Sequence, residues 1–267
     1  MSSEPEPMDL PRAPWSAIRD EFIASWGYPD GRFDPEHMEI LGPSGSGKTY
    51  AEATFLQERV RRRGSAVIFV ATKPVDKTIM SLGWPVVTDF KQLMRHFERD
   101  ERQVIFWPRT EQLGKAWTAY MAAKIEDLLS RLWRAKMKVI LVFDEIATSE
   151  GLSIDVREII KRFWREARSV GITMIAMKQR PQGIQRDMHS ETAWIAAFKP
   201  KDEEDAKRVA EIMGSKRTWM PTLMNLSRDA HEFVLLHVPT GDAVITWIDT
   251  PLKPTKTAKR TLYGKAT

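Results

Sequence analysis

Short, wholly apolar runs alternate along the chain with longer stretches in which apolar residues return every three or four positions. The runs at 37–41, 66–71, 104–107, 139–143, 173–177 and 194–198 predict strands. The helical period at 50–63, 90–99, 113–136, 154–169 and 202–213 predicts helices between them. A strand that is apolar at every position, rather than at every second one, belongs in a parallel sheet covered on both faces. The alternation therefore predicts an α/β fold with a central, mostly parallel sheet flanked by helices. Two last strands, 232–238 and 243–248, bracket Pro239-Thr240-Gly241-Asp242 and predict a C-terminal β-hairpin. A short helix at 16–25, with Trp15, Phe22 and Trp26 around it, is expected to dock ahead of the core.

These signals divide the chain into an N-terminal extension (1–34), a main domain (35–250) and a tail (251–267). Within the 154–169 helix, Val156, Ile159, Ile160, Phe163 and Ala167 form a core-facing stripe. Arg157, Lys161, Arg165 and Arg168 lie around it, on a side that is either solvated or turned to another subunit or to DNA.

At 267 residues and 42% hydrophobic content, the chain can bury a sizeable core. It has no cysteine, which excludes disulfides and cysteine-type zinc sites. No apolar run approaches the ~20 residues that span a bilayer, so the expectation is a protein without a membrane span, in the cytoplasm. The net charge of +5 resides in the tail, where Lys253, Lys256, Lys259, Arg260 and Lys265 meet no acid.

The chemistry begins where the first main-domain strand ends. Gly42-Pro43-Ser44-Gly45-Ser46-Gly47-Lys48-Thr49 satisfies G-x-x-x-x-G-K-[ST], the phosphate-loop pattern, and stands between a predicted strand and a predicted helix. Glycines there turn successive amides inward around phosphates, and the helix adds its positive end. Lys48 would reach the β and γ phosphates, and the Thr49 hydroxyl would hold Mg²⁺. The strand 139–143 runs into Asp144-Glu145: the first carboxylate is placed to hold Mg²⁺, and the second to orient and polarise an attacking water. The strand 173–177 runs into Lys178-Gln179-Arg180-Pro181, and the Gln179 amide can both donate to a γ-phosphate oxygen and accept from that water. Trp26, Tyr28 and Trp107 carry no assigned role toward the base.

Taken together, GPSGSGKT, VILVFDE and ARSVGITMIAMKQRP resemble the FtsK/HerA superfamily of RecA-like (ASCE) P-loop motor ATPases. The closing LSRDAHEFVLLHVPTGDAVITWIDTP is similar to that superfamily's C-terminal pattern, so the resemblance spans about residues 37–251; Lys73-Pro74-x-Asp76 fits it less specifically. The resemblance implies ATP and Mg²⁺ as cofactors and a homo-oligomeric ring, pentameric or hexameric, that pulls double-stranded DNA through its pore. It puts Lys48 and Thr49 on the phosphate-loop positions, Asp144 and Glu145 on the magnesium and catalytic positions, and Gln179 on the sensor position. Arg168 matches a position that serves as an arginine finger toward a neighbour's nucleotide, with Arg165 and Arg180 as rivals.

Membrane spans, a winged-helix domain, a preceding β-barrel and an appended nuclease, each characteristic of some relatives, are not read in this sequence. The expectation is thus a compact viral genome-packaging motor in the host cytoplasm, with a capsid portal as candidate partner. The alternatives are an ATPase of plasmid conjugation or of virion assembly and secretion, and a nucleotide-binding adaptor without turnover. Loops at 108–115, with Arg109 and Lys115, and at 147–155 are the expected DNA contacts, with the basic tail as a tether.

Overall fold

The computed structural model describes residues 6–28, 32–73, 76–179 and 186–252, with the side chains of 186 and 187 excepted. Its described strands form one ten-stranded sheet in the order β1-β10-β9-β8-β2-β7-β6-β3-β5-β4. The strands are β1 (Arg12–Pro14), β2 (His37–Leu41), β3 (Ala66–Val70), β4 (Val86–Val87), β5 (Gln103–Phe106), β6 (Val139–Phe143), β7 (Thr173–Lys178), β8 (Thr192–Phe198), β9 (Phe233–His237) and β10 (Ala243–Trp247). From β8 across to β4 every neighbouring pair is parallel. The hairpin β9–β10 adds antiparallel strands beside β8. All predicted strands are present within a residue or two of the expected bounds.

The helices are α1 (Trp15–Ser25), α2 (Lys48–Arg63), α3 (Lys77–Ser81), α4 (Phe90–Glu98), α5 (Gly114–Ala135), α6 (Ile146–Glu150), α7 (Ile154–Glu166), α8 (Arg186–Ser190), α9 (Glu203–Ile212) and α10 (Lys216–Met224). They cover both faces. On one face α1 and α2 pack Trp15, Phe22, Trp26, Phe55 and Leu56 against Met38, Ile40, Phe69 and Ile175. On the other, α5 and α7 pack Ile125, Leu129, Ile160 and Phe163 against Ile68, Leu141, Phe143 and Met174. A third cluster joins α9 and α10 to β8, β9 and β10 through Val209, Leu223, Ile195, Val234 and Ile245. The segment before residue 34 enters this architecture directly, since β1 pairs with β10 and Trp15 and Trp26 are fully buried.

The stripe on α7 is core, as its periodicity predicts, with Val156, Ile160 and Phe163 buried. One expectation is corrected: most of 147–155 is helix, because α6 begins directly after Glu145 and Ser153 caps α7 by accepting from Val156 N–H. Lys115 likewise lies in the first turn of α5 and not in a loop. Among the described residues, no helix is long and apolar enough to cross a membrane.

Candidate active site

Parallel strands deliver their C-terminal ends to one edge of the sheet, and this is where ligands bind in open α/β folds. The sensor strand β7 lies between β2, which feeds the phosphate loop, and β6, which ends in the two carboxylates. Ser44, Gly45, Gly47, Lys48, Thr49, Lys73, Asp144 and Gln179 consequently line a single cleft of about 260 Å³. The phosphate loop, the magnesium candidate and the sensor candidate are therefore brought together from three strands. Glu145 stands at the N-terminus of α6, next to the cleft and half-buried.

Two glycines of the loop are required by shape. A Cβ on Gly42 would lie 2.7 Å from Phe198 Cβ on the neighbouring strand. Gly47 has φ +98° at the position before α2, a left-handed conformation in which a side chain is strained. The positive φ values at Gly45 and Gly47 shape a loop whose amides lead into the helix. Lys48 is folded back on this loop, its Nζ donating to Gly42 O at 2.6 Å and Pro43 O at 2.8 Å. Its burial pulls the ammonium pKa down to about 8 against the opposing pull of Glu145. A polyanion entering the loop supplies the counter-charge that the two carbonyls supply only in part.

Asp144 is buried, and the Lys73 ammonium donates to its Oδ1 at 3.1 Å and stands 2.9 Å from Oδ2. Burial raises the Asp144 pKa more than Lys73 lowers it. Burial likewise raises that of Glu145, with Lys73 opposing. For Lys73 itself, burial works against the charge, but Asp144, Asp76 and Glu145 outweigh it and keep its pKa above the ordinary lysine value. Asp144 Oδ2 is buried in its ion pair with Lys73, and oxygen donors from a carboxylate and the Thr49 hydroxyl suit a hard cation such as Mg²⁺ once that lysine is displaced.

Four features escaped the reading of the sequence. Lys73, on the turn after β3, is the direct partner of Asp144. Glu52, one helical turn beyond Lys48, is fully buried with neither carboxylate oxygen hydrogen-bonded, and burial and then Asp144 push its pKa well up. His231 approaches the Gly47 backbone and pairs its Nδ1 with Ser46 O at 3.1 Å, tying the start of the hairpin to the phosphate loop. Beneath the sensor, Lys178 Nζ meets Glu39 Oε2 at 2.8 Å inside the sheet, and Glu39 Oε1 contacts His189 at 2.8 Å and Thr192 at 2.7 Å. Glu52 at i+4 from Lys48 was the one visible signal; the others are contacts across the sheet.

Arg168 is not part of this cleft. It sits in a 3-10 turn (Ala167–Val170) before β7, at the opposite edge of the sheet, where its Nη2 contacts Asp34 at 3.0 and 3.1 Å. Arg165 is exposed in the last turn of α7, and Arg180 lies outside the described residues. Arg109 stacks its guanidinium 4.1 Å over Trp107 at the nucleotide-side edge. The tail bases 253–265 also lie outside the described residues. Trp26 and Trp107 are buried in the core.

The sequence model of an ATPase family described as KaiC matches residues 19–218. No curated protein matches the sequence. Among solved structures, the genome-packaging NTPase B204 of Sulfolobus turreted icosahedral virus 2, in complex with sulfate, superposes with a TM-score of 0.62 at 12% identity, covering 81% of this chain and 98% of that one. B204 of Sulfolobus turreted icosahedral virus, described as a DNA-packaging ATPase, gives 0.59 at 15% identity, covering 81% and 100%. VirB4 of Thermoanaerobacter pseudethanolicus gives 0.59 at 10% identity, covering 80% and 89%. The shared fold is that of a RecA-like P-loop ATPase.

Proposed function

Since the chain belongs to the KaiC ATPase family and is a nucleotide-binding ATPase, we propose that it spends ATP to move double-stranded DNA, packaging a viral genome as a member of a homo-oligomeric ring. The observation that carries this reading is the division of labour between the two edges of the sheet: Lys48, Asp144 and Gln179 share one cleft, while Arg168 stands on the far edge. An arginine placed so cannot serve its own subunit's nucleotide, but can serve a neighbour's. The fold shared with B204, described as a genome-packaging NTPase and matched over nearly its whole length, is what suggests packaging as the task.

In this reading ATP displaces the carbonyls from Lys48, and the loop amides and the α2 N-terminus hold its phosphates. Thr49 and Asp144 would hold Mg²⁺, which supplies charge neutralisation at the β and γ phosphates. Lys73 gives up Asp144 and stays within reach of the same phosphates. Glu145, whose burial raises its basicity, orients the attacking water and accepts its proton. Gln179 donates to the γ-phosphate, and the strand carrying it is pinned through Lys178 and Glu39 to the strand that feeds the loop. Loss of the γ-phosphate is thereby felt along β7. DNA would be gripped from the nucleotide-side edge by Arg109 and Lys115, through phosphates and without base reading.

The test is ATP turnover with and without duplex DNA. The translocase reading expects stimulation that falls with salt and is lost in Arg109→Ala/Lys115→Ala while the basal rate persists. Turnover indifferent to DNA in the wild type, in the assembled state, rejects it in favour of an assembly or secretion ATPase.

A further inference from the structure

At the edge opposite the nucleotide cleft, the starts of β3, β6 and β7 form the floor of a second cavity, of about 290 Å³. Arg59, Arg63, Arg102 and Lys138 line it together with Tyr28 and Phe33, and among the described residues no carboxylate lines it. Arg59 is the fixed member. It is 1% exposed, its Nε donates to Ser65 Oγ at 3.2 Å, and its guanidinium lies 4.9 Å from the Trp26 ring centre and 4.8 Å from that of Tyr28. Its Nη1 is buried without an acceptor. The backbone makes room for it, since a Cβ on Gly27 would lie 2.6 Å from Arg59 Nη2.

The other bases are only partly neutralised. Arg63 lies 4.3 Å over the Tyr28 ring and donates to the carbonyls of Ile23 and Ala24. Lys138 lies 5.7 Å over Phe33, which is 39% exposed. Arg102 alone has a carboxylate, Asp100 at 2.6 Å. A buried guanidinium held by two aromatic rings is a pre-formed fork for an oxyanion, and arginine recognises phosphate in this geometry. Concentrating bases in a concave site raises the local potential for anions further.

We propose that this cavity binds the phosphate of a nucleotide unit, at a site separate from the phosphate loop, with Arg59, Arg63 and Lys138 on the phosphate and Phe33 against the base. The unit comes either from a free nucleotide or from a nucleic-acid strand. The proposal holds whether or not the chain translocates DNA.

Equilibrium dialysis of the full chain against labelled ADP separates the two sources. A free-nucleotide site gives two equivalents per chain in the wild type, and one in Arg63→Gln/Lys138→Gln, two exposed positions whose replacement spares the core. Lys48→Ala then identifies which equivalent belongs to the phosphate loop. A strand site gives one ADP equivalent throughout, but labelled duplex or single-stranded DNA binds the double variant at least about tenfold more weakly, with a salt slope smaller by roughly one to two. Arg59→Lys, which keeps the charge and loses the fork, weakens whichever binding is found. One ADP equivalent in both the wild type and the double variant, with DNA affinity and salt slope equal in the two, overturns the proposal.

Discussion

Both edges of the sheet hold bases and use them differently. At the nucleotide-side edge Lys48 and Lys73 are set among Asp144, Glu145, Glu52 and Asp76, so that Lys73 has a carboxylate and Lys48 two loop carbonyls to exchange for a phosphate. At the opposite edge, among the described residues, Arg59, Arg63 and Lys138 have aromatic rings and carbonyls as their contacts, with Glu36 acting on Arg59 through its charge, and Arg168 pairs with Asp34. Balanced charge allows a site to open and close with each cycle at little cost. Unbalanced charge makes a standing receptor for an anion from outside the subunit. On the proposed reading, one edge serves turnover and the other reception.

The largest test of this contrast is Arg168→Ala. If the far edge receives a neighbour's nucleotide, turnover falls ~10³-fold or more while ATP affinity is unchanged, and mixing with Glu145→Gln restores part of the activity at interfaces that pair an intact Glu145 with an intact Arg168. Asp34→Ala, which frees Arg168, should leave turnover at least at the wild-type level. If Arg168→Ala turns over normally, Arg165 is the next candidate. Glu145→Gln comes second: single-turnover kinetics should show a loss of about 10²- to 10³-fold with nucleotide binding retained.

Lys73→Met sharpens the balanced side. Without divalent cation, Lys73 is what offsets Asp144 and Glu145 against an incoming triphosphate, so titration of a fluorescent ATP analogue in EDTA should show about tenfold weaker binding. With saturating Mg²⁺ the difference should shrink to less than about threefold. Equal affinities in EDTA would remove Lys73 from nucleotide recognition.

The smallest effect concerns His37, at the start of β2 near the far edge. Burial, and then Arg168, depress its pKa from 6.5 to about 3. The unfolded chain therefore binds more protons between pH 6.5 and 3, and this group's contribution to stability is complete above 6.5 and lost as the pH falls. Urea midpoints taken at pH 7 and 5.5 should report a loss of about 1 kcal/mol that His37→Asn, which keeps an acceptor for Met174 N–H, removes. An unchanged pH slope in the variant would assign the loss to other groups.

What could be read from the sequence was whatever rests on neighbours along the chain. Gly42 to Thr49, Asp144-Glu145 and Gln179 announce themselves because each functional side chain follows a strand whose apolar run is visible, and strands of a parallel sheet end together. The pairing that sets β7 beside β2 joins residues 137 positions apart, such as Met38 and Ile175, and leaves no local trace. The same holds for Lys73 on Asp144, Lys178 on Glu39 and His231 on Ser46. Short helices were missed for a different reason. α3, α6 and α8 are five residues each, too short to show a period, although the Asp76 and Ser215 caps of α3 and α10 were in plain sight.

The strand that feeds the phosphate loop has consequences for how the chain is made. β2 is paired only with β7 and β8, through Met38 with Ile175 and Trp194. A ribosome releasing this chain has therefore extruded the loop long before either flanking strand exists, and the loop waits as unpaired backbone while β3 to β6 are synthesised. Nucleotide affinity can appear only as a late event, once residues through Phe198 have emerged. Pairings this distant in sequence fold slowly. Nascent chains stalled before β7 should expose β2 to chaperones and proteases, and those stalled beyond β8 should be the first that ATP protects.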